Sequence, residues 1–209
     1  MSDSIKHECG VAMLRLLKPL EYYQEKYGSS LYGLNKMYLL MEKQHNRGQD
    51  GVGLANIKLD IAPGKRYISR KRSVATNPIQ DVFKQVNKRF VELEENDPAK
   101  LKDPQWMKEN MAFTGELFLG HLRYGTFGGN TIEQCHPFLR QSNWKTRNLV
   151  LAGNFNMTNV DELFEQLVDL GQHPKQKADT VTILEKIGHF LDEANDEIYY
   201  KHKDKFNKK

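Results

Sequence analysis

The sequence has few cysteines, no long apolar run and no strong excess of one charge. Only Cys9 and Cys135 occur among its 209 residues, which excludes a framework of disulfides and favours a reducing, cytoplasmic setting. No run approaches the ~20 apolar residues that a membrane-spanning helix needs. The first residues also lack the apolar segment of a secretory signal. Integral membrane proteins and small disulfide-rich secreted proteins are therefore excluded.

Charge and histidine spacing argue against two further classes of function. Lys and Arg number 31 against 27 Asp and Glu, a formal net charge of +4. Part of the excess lies in residues 199–209, where a solvated helix end accounts for the lysines better than a nucleic-acid contact does. The 7 histidines show no metal-ligand spacing. We therefore expect no nucleic-acid partner, no membrane partner and no metal.

Hydrophobic periodicity predicts a mixture of strands and helices, which indicates an α/β or an α+β class. Residues 22–30 and 95–110 interrupt the periodic pattern, and the second segment is expected to be an exposed connection. Short apolar runs predict strands at 10–17, 51–59, 116–123 and 148–152. Apolar residues spaced by three and four predict helices at 31–44, 79–94, 160–170 and from about 180 onward.

Cys9 lies directly before the first predicted strand. A lone cysteine in such a place is usually a small buried hydrophobe. If residues 1–8 were removed, however, Cys9 would carry a free α-amino group, which titrates near about pH 8 and can accept the proton of the thiol. The position therefore fits an N-terminal nucleophile, in which the base and the nucleophile belong to one residue.

Three polar residues at the ends of predicted elements could serve such a nucleophile. Asn154 follows an apolar strand, and its side-chain amide could donate to a developing oxyanion. Arg123 ends a strand and could pair with a carboxylate. Asp179 opens a helix and could bind an ammonium group. Taken singly, each also fits a plain structural role, as a surface arginine or a capping aspartate.

Five blocks of sequence, in the family's order, resemble the class II glutamine amidotransferase domain. They are most similar to the amidophosphoribosyltransferases, and the string RGQD at 47–50 points to that branch. The match extends from Cys9 to about Asp192. The blocks are CGVA at 9–12, QHNRGQDGVG at 44–53, GHLRYGTFG at 120–128, LAGNFNMTN at 151–159 and ADT at 178–180.

The resemblance implies a fold and a place in a longer enzyme. The family fold is α+β, a four-layer αββα sandwich of the N-terminal-nucleophile hydrolase type, and here it is expected to be incomplete at the C-terminus. Residues 1–8 are expected to form a leader, and residues 9–209 a partial amidotransferase domain. The phosphoribosyltransferase (synthase) domain is absent from the sequence and is therefore an expected partner. Glutamine is the expected substrate, and the full-length protein is expected to form homo-oligomers.

The resemblance also implies the chemistry of the site, which is the glutaminase half-reaction of an enzyme of purine nucleotide biosynthesis. This half-reaction would need neither a metal nor a cofactor. Cys9 would attack the side-chain amide of glutamine, form a thioester and release ammonia, after which water would release glutamate. Asn154 and the backbone N–H of Phe155 would stabilise the oxyanion.

Four further assignments concern the glutamine that the site would bind. Arg123, with Thr126 beside it, would bind the α-carboxylate. Asp179 would hold the α-ammonium group, and Arg47 would form part of the wall.

The sequence departs from the family pattern at three further places. Residues 1–8 precede Cys9, so the thiol lacks its base until they are removed. Asn46 is an extra residue before Arg47. Phe155 stands where the family usually has glycine after the oxyanion asparagine, and a positive φ there would cost phenylalanine more than glycine.

Two alternatives to this enzyme stay open. The chain could be a catalytically silent module that keeps the fold and binds glutamine, or a different cysteine-dependent amidohydrolase. Cys135 is interpreted as structural, because its sequence neighbour His136 would point away from it in a strand.

Overall fold

A computed structural model of the chain describes residues 8–125 and 131–206. Helices and strands are mixed, so the predicted α+β class is confirmed. Contacts divide the chain into two compact units, Met1–Pro137 and Phe138–Lys209. The four-layer sandwich and the incompleteness at the C-terminus stay predictions, as do the leader at 1–8 and the single domain at 9–209.

The first unit is built on one antiparallel sheet of four strands, which are β1 (Gly10–Arg15), β2 (Gly51–Ile57), β3 (Ile68–Ser73) and β4 (Leu117–Arg123). Across the sheet the strands follow the order β1-β4-β2-β3. Strands β1, β2 and β4 lie where short apolar runs predicted strands.

One face of this sheet carries the core of the first unit. Helices α2 (Tyr32–Glu42) and α3 (Pro78–Asn96) bury their apolar stripes against it. Gly120 lets α2 approach closely, because a Cβ built there would lie 2.5 Å from Met37 Cε and 2.6 Å from Met41 Sδ. The fully buried side chains at this interface are Leu34, Met37, Met41, Val52, Leu54, Val82 and Leu122.

Two segments that interrupt the periodic pattern contain short helices, which the sequence pattern did not predict. Helix α1 (Leu20–Tyr27) occupies most of the first segment and buries Leu20. In the second, α4 (Pro98–Leu101) and α5 (Pro104–Asn110) each begin with an aspartate that accepts a backbone N–H of the first turn. These caps start helices too short to show periodicity, and Met107 of α5 is fully buried.

The second unit contains a short hairpin and two helices. Strands β5 (Phe138–Arg140) and β6 (Leu149–Leu151) are antiparallel. The helices are α6 (Val160–Asp169) and α7 (Asp179–Phe206). Leu167, Val181 and Leu184 are buried in this unit.

Charge pairs attach the hairpin to α7. Arg140 contacts Glu185 at 3.2 Å and Asp192 at 2.5 Å. Arg147 pairs with Asp192 at 3.8 Å and also with Asp196. The three acidic residues lie seven and four positions apart, so they share one face of the helix.

Within the described residues, no helix has both the length and the apolarity needed to cross a membrane.

Candidate active site

Cys9 lies at one end of the first sheet, directly before β1, and is partly exposed. The backbone N–H of Tyr124 donates to Sγ at 3.4 Å, and the thiol faces the carbonyl oxygen of Tyr124 at 3.9 Å. The sulfur is therefore held at the rim of the sheet and not in the apolar core.

Arg123 is adjacent to Cys9 across the strand pair. Gly10 pairs with Leu122, and one step further along the same register Cys9 faces Arg123. Residues opposite each other in an antiparallel pair project from the same face, with Cβ atoms about 4.5–5.5 Å apart. The Arg123 side chain is buried, at 8% exposure. The structure thus brings the predicted nucleophile and the predicted carboxylate clamp to one corner of the sheet.

The turn before β2 packs on the backbone of Arg123. The N–H of Asp50 donates to the Arg123 carbonyl at 3.1 Å, and Asp50 Oδ2 accepts the N–H of Gly125 at 2.7 Å. A Cβ built on Gly48 would lie 2.6 Å from the carbonyl carbon of Arg123, so glycine is required there. Asp50 lies inside the RGQD string, but no local pattern predicted these contacts.

Arg47 lies beside the start of β1. Its Cβ would be 3.4 Å from a Cβ built on Gly10, and its guanidinium is 4.0 Å from the carboxylate of Glu8. Both side chains of this ion pair are about 60% exposed, so the pair contributes little to stability. Thr126 lies outside the described residues.

The remaining predicted site residues belong to the second unit. Asp179 is the first residue of α7, and its Oδ2 accepts the N–H of Met157 at 3.0 Å. This bond joins the loop after β6, which carries Asn154 and Phe155, to the start of the helix. Asn154 is exposed.

Phe155 does not require a strained backbone. The described non-glycine residues with positive φ are Asp60 and Phe113, so the penalty expected for Phe155 does not arise. Its ring lies against Gly153 instead, where a Cβ would come within 2.6 Å of Phe155 Cζ.

Cys135 is 1% exposed, and burial raises the pKa of its thiol. A raised pKa keeps the thiol protonated and weakly nucleophilic, so this environment agrees with a structural Cys135. His136 stacks on His121 with ring centroids 4.4 Å apart. Burial, with the neighbouring His121 and Arg123, lowers the pKa of His136 to about 3, so the ring is neutral at physiological pH. The described residues contain no group of three or more His, Cys, Asp or Glu that could hold a metal ion.

Comparison with known proteins finds relatives that are named amidophosphoribosyltransferase. No family model matches the chain. Amidophosphoribosyltransferase of Bacillus subtilis is 34% identical over 189 residues, which are 89% of this chain and 30% of the relative. The Archaeoglobus fulgidus protein is 27% identical over 159 residues, which are 76% of this chain and 27% of the relative. The Methanocaldococcus jannaschii protein is 32% identical over 84 residues, which are 40% of this chain and 17% of the relative.

Two solved structures were also matched. Glutamine phosphoribosylpyrophosphate amidotransferase of B. subtilis, complexed with ADP and GMP, has a TM-score of 0.43 at 26% identity and covers 69% of this chain and 24% of its own. A structure described as the allosteric regulatory enzyme of purine biosynthesis has a TM-score of 0.49 at 22% identity, covering 75% and 27%.

The chain spans less than a third of the length of the three curated relatives described above. All three are named amidophosphoribosyltransferase, the branch to which the five sequence blocks point. The predicted resemblance is therefore confirmed: this chain is a relative of the amidophosphoribosyltransferases.

Proposed function

We propose that this chain performs the glutaminase half-reaction of an amidophosphoribosyltransferase-like enzyme of purine biosynthesis. The observation that carries the proposal is the placement of a partly exposed Cys9 opposite the buried Arg123. A nucleophile and a fixed guanidinium at one sheet corner suit a substrate that carries both an amide and a carboxylate.

The first step forms a thioester. The α-amine of a processed Cys9 accepts the thiol proton, and the sulfur attacks the carboxamide carbon of glutamine. Asn154 and the N–H of Phe155 donate to the oxyanion of the tetrahedral intermediate. The proton then passes from the α-amine to the leaving nitrogen, the C–N bond breaks and ammonia departs.

The second step restores the enzyme. Water attacks the thioester with the α-amine again accepting a proton, the C–S bond breaks, and glutamate leaves with the thiol reformed. Arg123 and Thr126 bind the α-carboxylate throughout, and Asp179 binds the α-ammonium group. Arg47 closes one side of the site. Neither a metal nor a cofactor takes part in these steps.

The ammonia is passed to a phosphoribosyltransferase domain, where phosphoribosylamine is made. That domain is the proposed partner, within a homo-oligomer of the full-length enzyme. The proposed compartment is the cytoplasm, where a catalytic thiol stays reduced.

The test is covalent capture of the nucleophile. The form that begins at Cys9 is incubated with a diazo-ketone analogue of glutamine, and the labelled residue is identified by peptide mass mapping. We expect one addition, at Cys9, and no glutamate release by Cys9→Ala. Addition at Cys135, or glutamine hydrolysis by Cys9→Ala, would contradict the proposal.

A second candidate is a glutamine-binding module without catalysis. The contact of Glu8 with Arg47 favours it, because this residue of the leader, when retained, lies against a proposed site residue. The processed protein would then bind glutamine without releasing glutamate, so sustained glutamate release excludes this alternative.

A further inference from the structure

Residues 133–137, here named the crossing segment, are held against the first sheet by two arginines of β3. Arg72 Nη1 donates to the carbonyls of Cys135 at 2.9 Å and Glu133 at 3.4 Å. Arg70 Nη1 donates to the carbonyl of Pro137 at 3.2 Å. Arg70 and Arg72 are two positions apart on one strand, so they project from the same face.

Two glycines of β2 make room for the crossing segment. A Cβ built on Gly51 would lie 2.5 Å from Cys135 Sγ, and one built on Gly53 would lie 1.8 Å from the carbonyl oxygen of His136. In the sheet register these glycines pair with Arg123 and His121 of β4. The crossing segment therefore passes over the same face and the same strand end that carry Arg123.

The crossing segment delivers one side chain to Arg123. Gln134 Oε1 accepts a hydrogen bond from Arg123 Nη2 at 3.0 Å. Since both the β3 arginines and the stack of His136 on His121 hold the segment, the position of this acceptor is well defined. An amide oxygen orients a guanidinium without adding a negative charge, whereas a carboxylate would compete with an anionic ligand.

We infer that Gln134 is a positioning residue, which aims the Arg123 guanidinium at the α-carboxylate of the substrate and thereby sets selectivity for ligands with a free α-carboxylate. The inference rests on the proposed glutaminase function. Gln134 does not touch the reacting atoms, so its effect is on recognition of the carboxylate and not on the chemistry of the amide.

The experiment compares two ligands that differ only at the α-carboxylate. The rate of Cys9 labelling is measured for the diazo-ketone analogue of glutamine and for its α-carboxamide derivative. The proteins are the wild type, Gln134→Glu and Gln134→Met, each beginning at Cys9. Far-UV circular dichroism and thermal unfolding establish that each variant is folded.

The wild type is expected to label faster with the carboxylate ligand. Gln134→Glu should lower that rate about tenfold or more, because the new carboxylate occupies Arg123, and should leave the rate with the carboxamide within about twofold. Gln134→Met, which has a similar volume and only a weak sulfur acceptor in place of the amide oxygen, should reduce the same selectivity by a smaller factor.

The outcomes separate the inference from the proposed function. Equal losses with both ligands would show a merely structural role and overturn the inference, as would unchanged selectivity in Gln134→Glu. If Gln134→Glu does not fold, unchanged selectivity in Gln134→Met overturns it. Absence of Cys9 labelling in the wild type would contradict the proposed function and this inference together.

Discussion

At the scale of single residues, burial changes the chemistry of one lysine outside the candidate site. Lys58 follows β2 and is 2% exposed. Burial, aided by the nearby Arg66, lowers its pKa to about 8, although Glu116 opposes the shift. Glu116 also pairs with Lys108 and accepts the N–H of Leu59 at 2.8 Å. The carboxylate thus has other partners that compete for it.

Lys58 should make the protein more stable as the pH rises from 8 to 10. The unfolded chain keeps the Lys58 proton up to about pH 10.4, whereas the folded chain releases it near pH 8. The unfolded state therefore binds more protons in this range, and the free energy of unfolding should rise by about 2 kcal/mol.

Urea titrations at pH 8 and pH 10 measure this change. Lys58→Met should lose the rise, whereas Lys88→Met, which alters an exposed lysine paired with Glu92, should keep it. A wild-type pH dependence in Lys58→Met would show that another group is responsible.

At the scale of elements, the first sheet is covered differently on its two faces. Helices α2 and α3 pack on one face through apolar side chains. Part of the other face is covered by the crossing segment. Its backbone carbonyls accept hydrogen bonds from the β3 arginines, and its histidine ring stacks on His121. Its backbone also lies against the glycines of β2. Because backbone lies directly on backbone there, the fit depends on the absence of a side chain at Gly53.

Gly53→Ala should destabilise the first unit strongly. The added Cβ would overlap the carbonyl oxygen of His136, which belongs to the main chain and moves only if the crossing segment moves. We expect a loss of about 3 kcal/mol in the free energy of unfolding, at the upper end of overpacking costs.

Gly10→Ala is the matched control for this substitution. Its new Cβ would come closest to Gln44 Oε1, at 3.0 Å, and that atom ends a flexible side chain. Denaturant unfolding should show a loss below about 1 kcal/mol for the control. Similar losses in the free energy of unfolding of the two variants would mean that the crossing segment shifts at little cost to accommodate the new Cβ.

At the scale of the whole molecule, the proposed activity depends on where the chain begins after processing. Residues 1–8 precede Cys9, so the nitrogen of Cys9 is an amide in the unprocessed chain and cannot accept the thiol proton. General-base assistance contributes about 10²- to 10⁴-fold to rates. Processing therefore decides whether the candidate site has its base.

Glutamate release should be at least about 100-fold faster for the form that begins at Cys9 than for the 209-residue chain. A form that begins at Glu8 is the matched control, because it lacks most of the leader but still has no free amine on Cys9. Intact mass identifies each form, and glutamate is measured directly. Comparable turnover by the Glu8 form would show that the amine is not the base.

Much of the fold could be predicted because periodic elements carry their own signal. The apolar stripe predicted a helix at residues 79–94, and α3 spans Pro78–Asn96. The helices α1, α4 and α5 were missed, since they are four to eight residues long and show too few turns for a periodic pattern. Their formation depends on caps and on burial against residues distant in sequence.

The candidate site likewise contains residues that motifs predicted and contacts that no local pattern predicted. Cys9 and Arg123 were predicted from their motifs, and the strand register placed them opposite each other. The contacts of Asp50 with Gly125 and of Arg72 with Cys135 span 75 and 63 residues, and neither side chain has a local signal that names its partner.

The order of residues alone therefore specified the class of fold, the longer helices and strands, and the resemblance that identifies Cys9 as the proposed nucleophile. Tertiary structure decided how the crossing segment covers the sheet, which acceptor orients Arg123 and how deeply Lys58 is buried. Periodicity and motifs are properties of neighbouring residues. Orientation, burial and pKa arise from groups that only folding brings into contact.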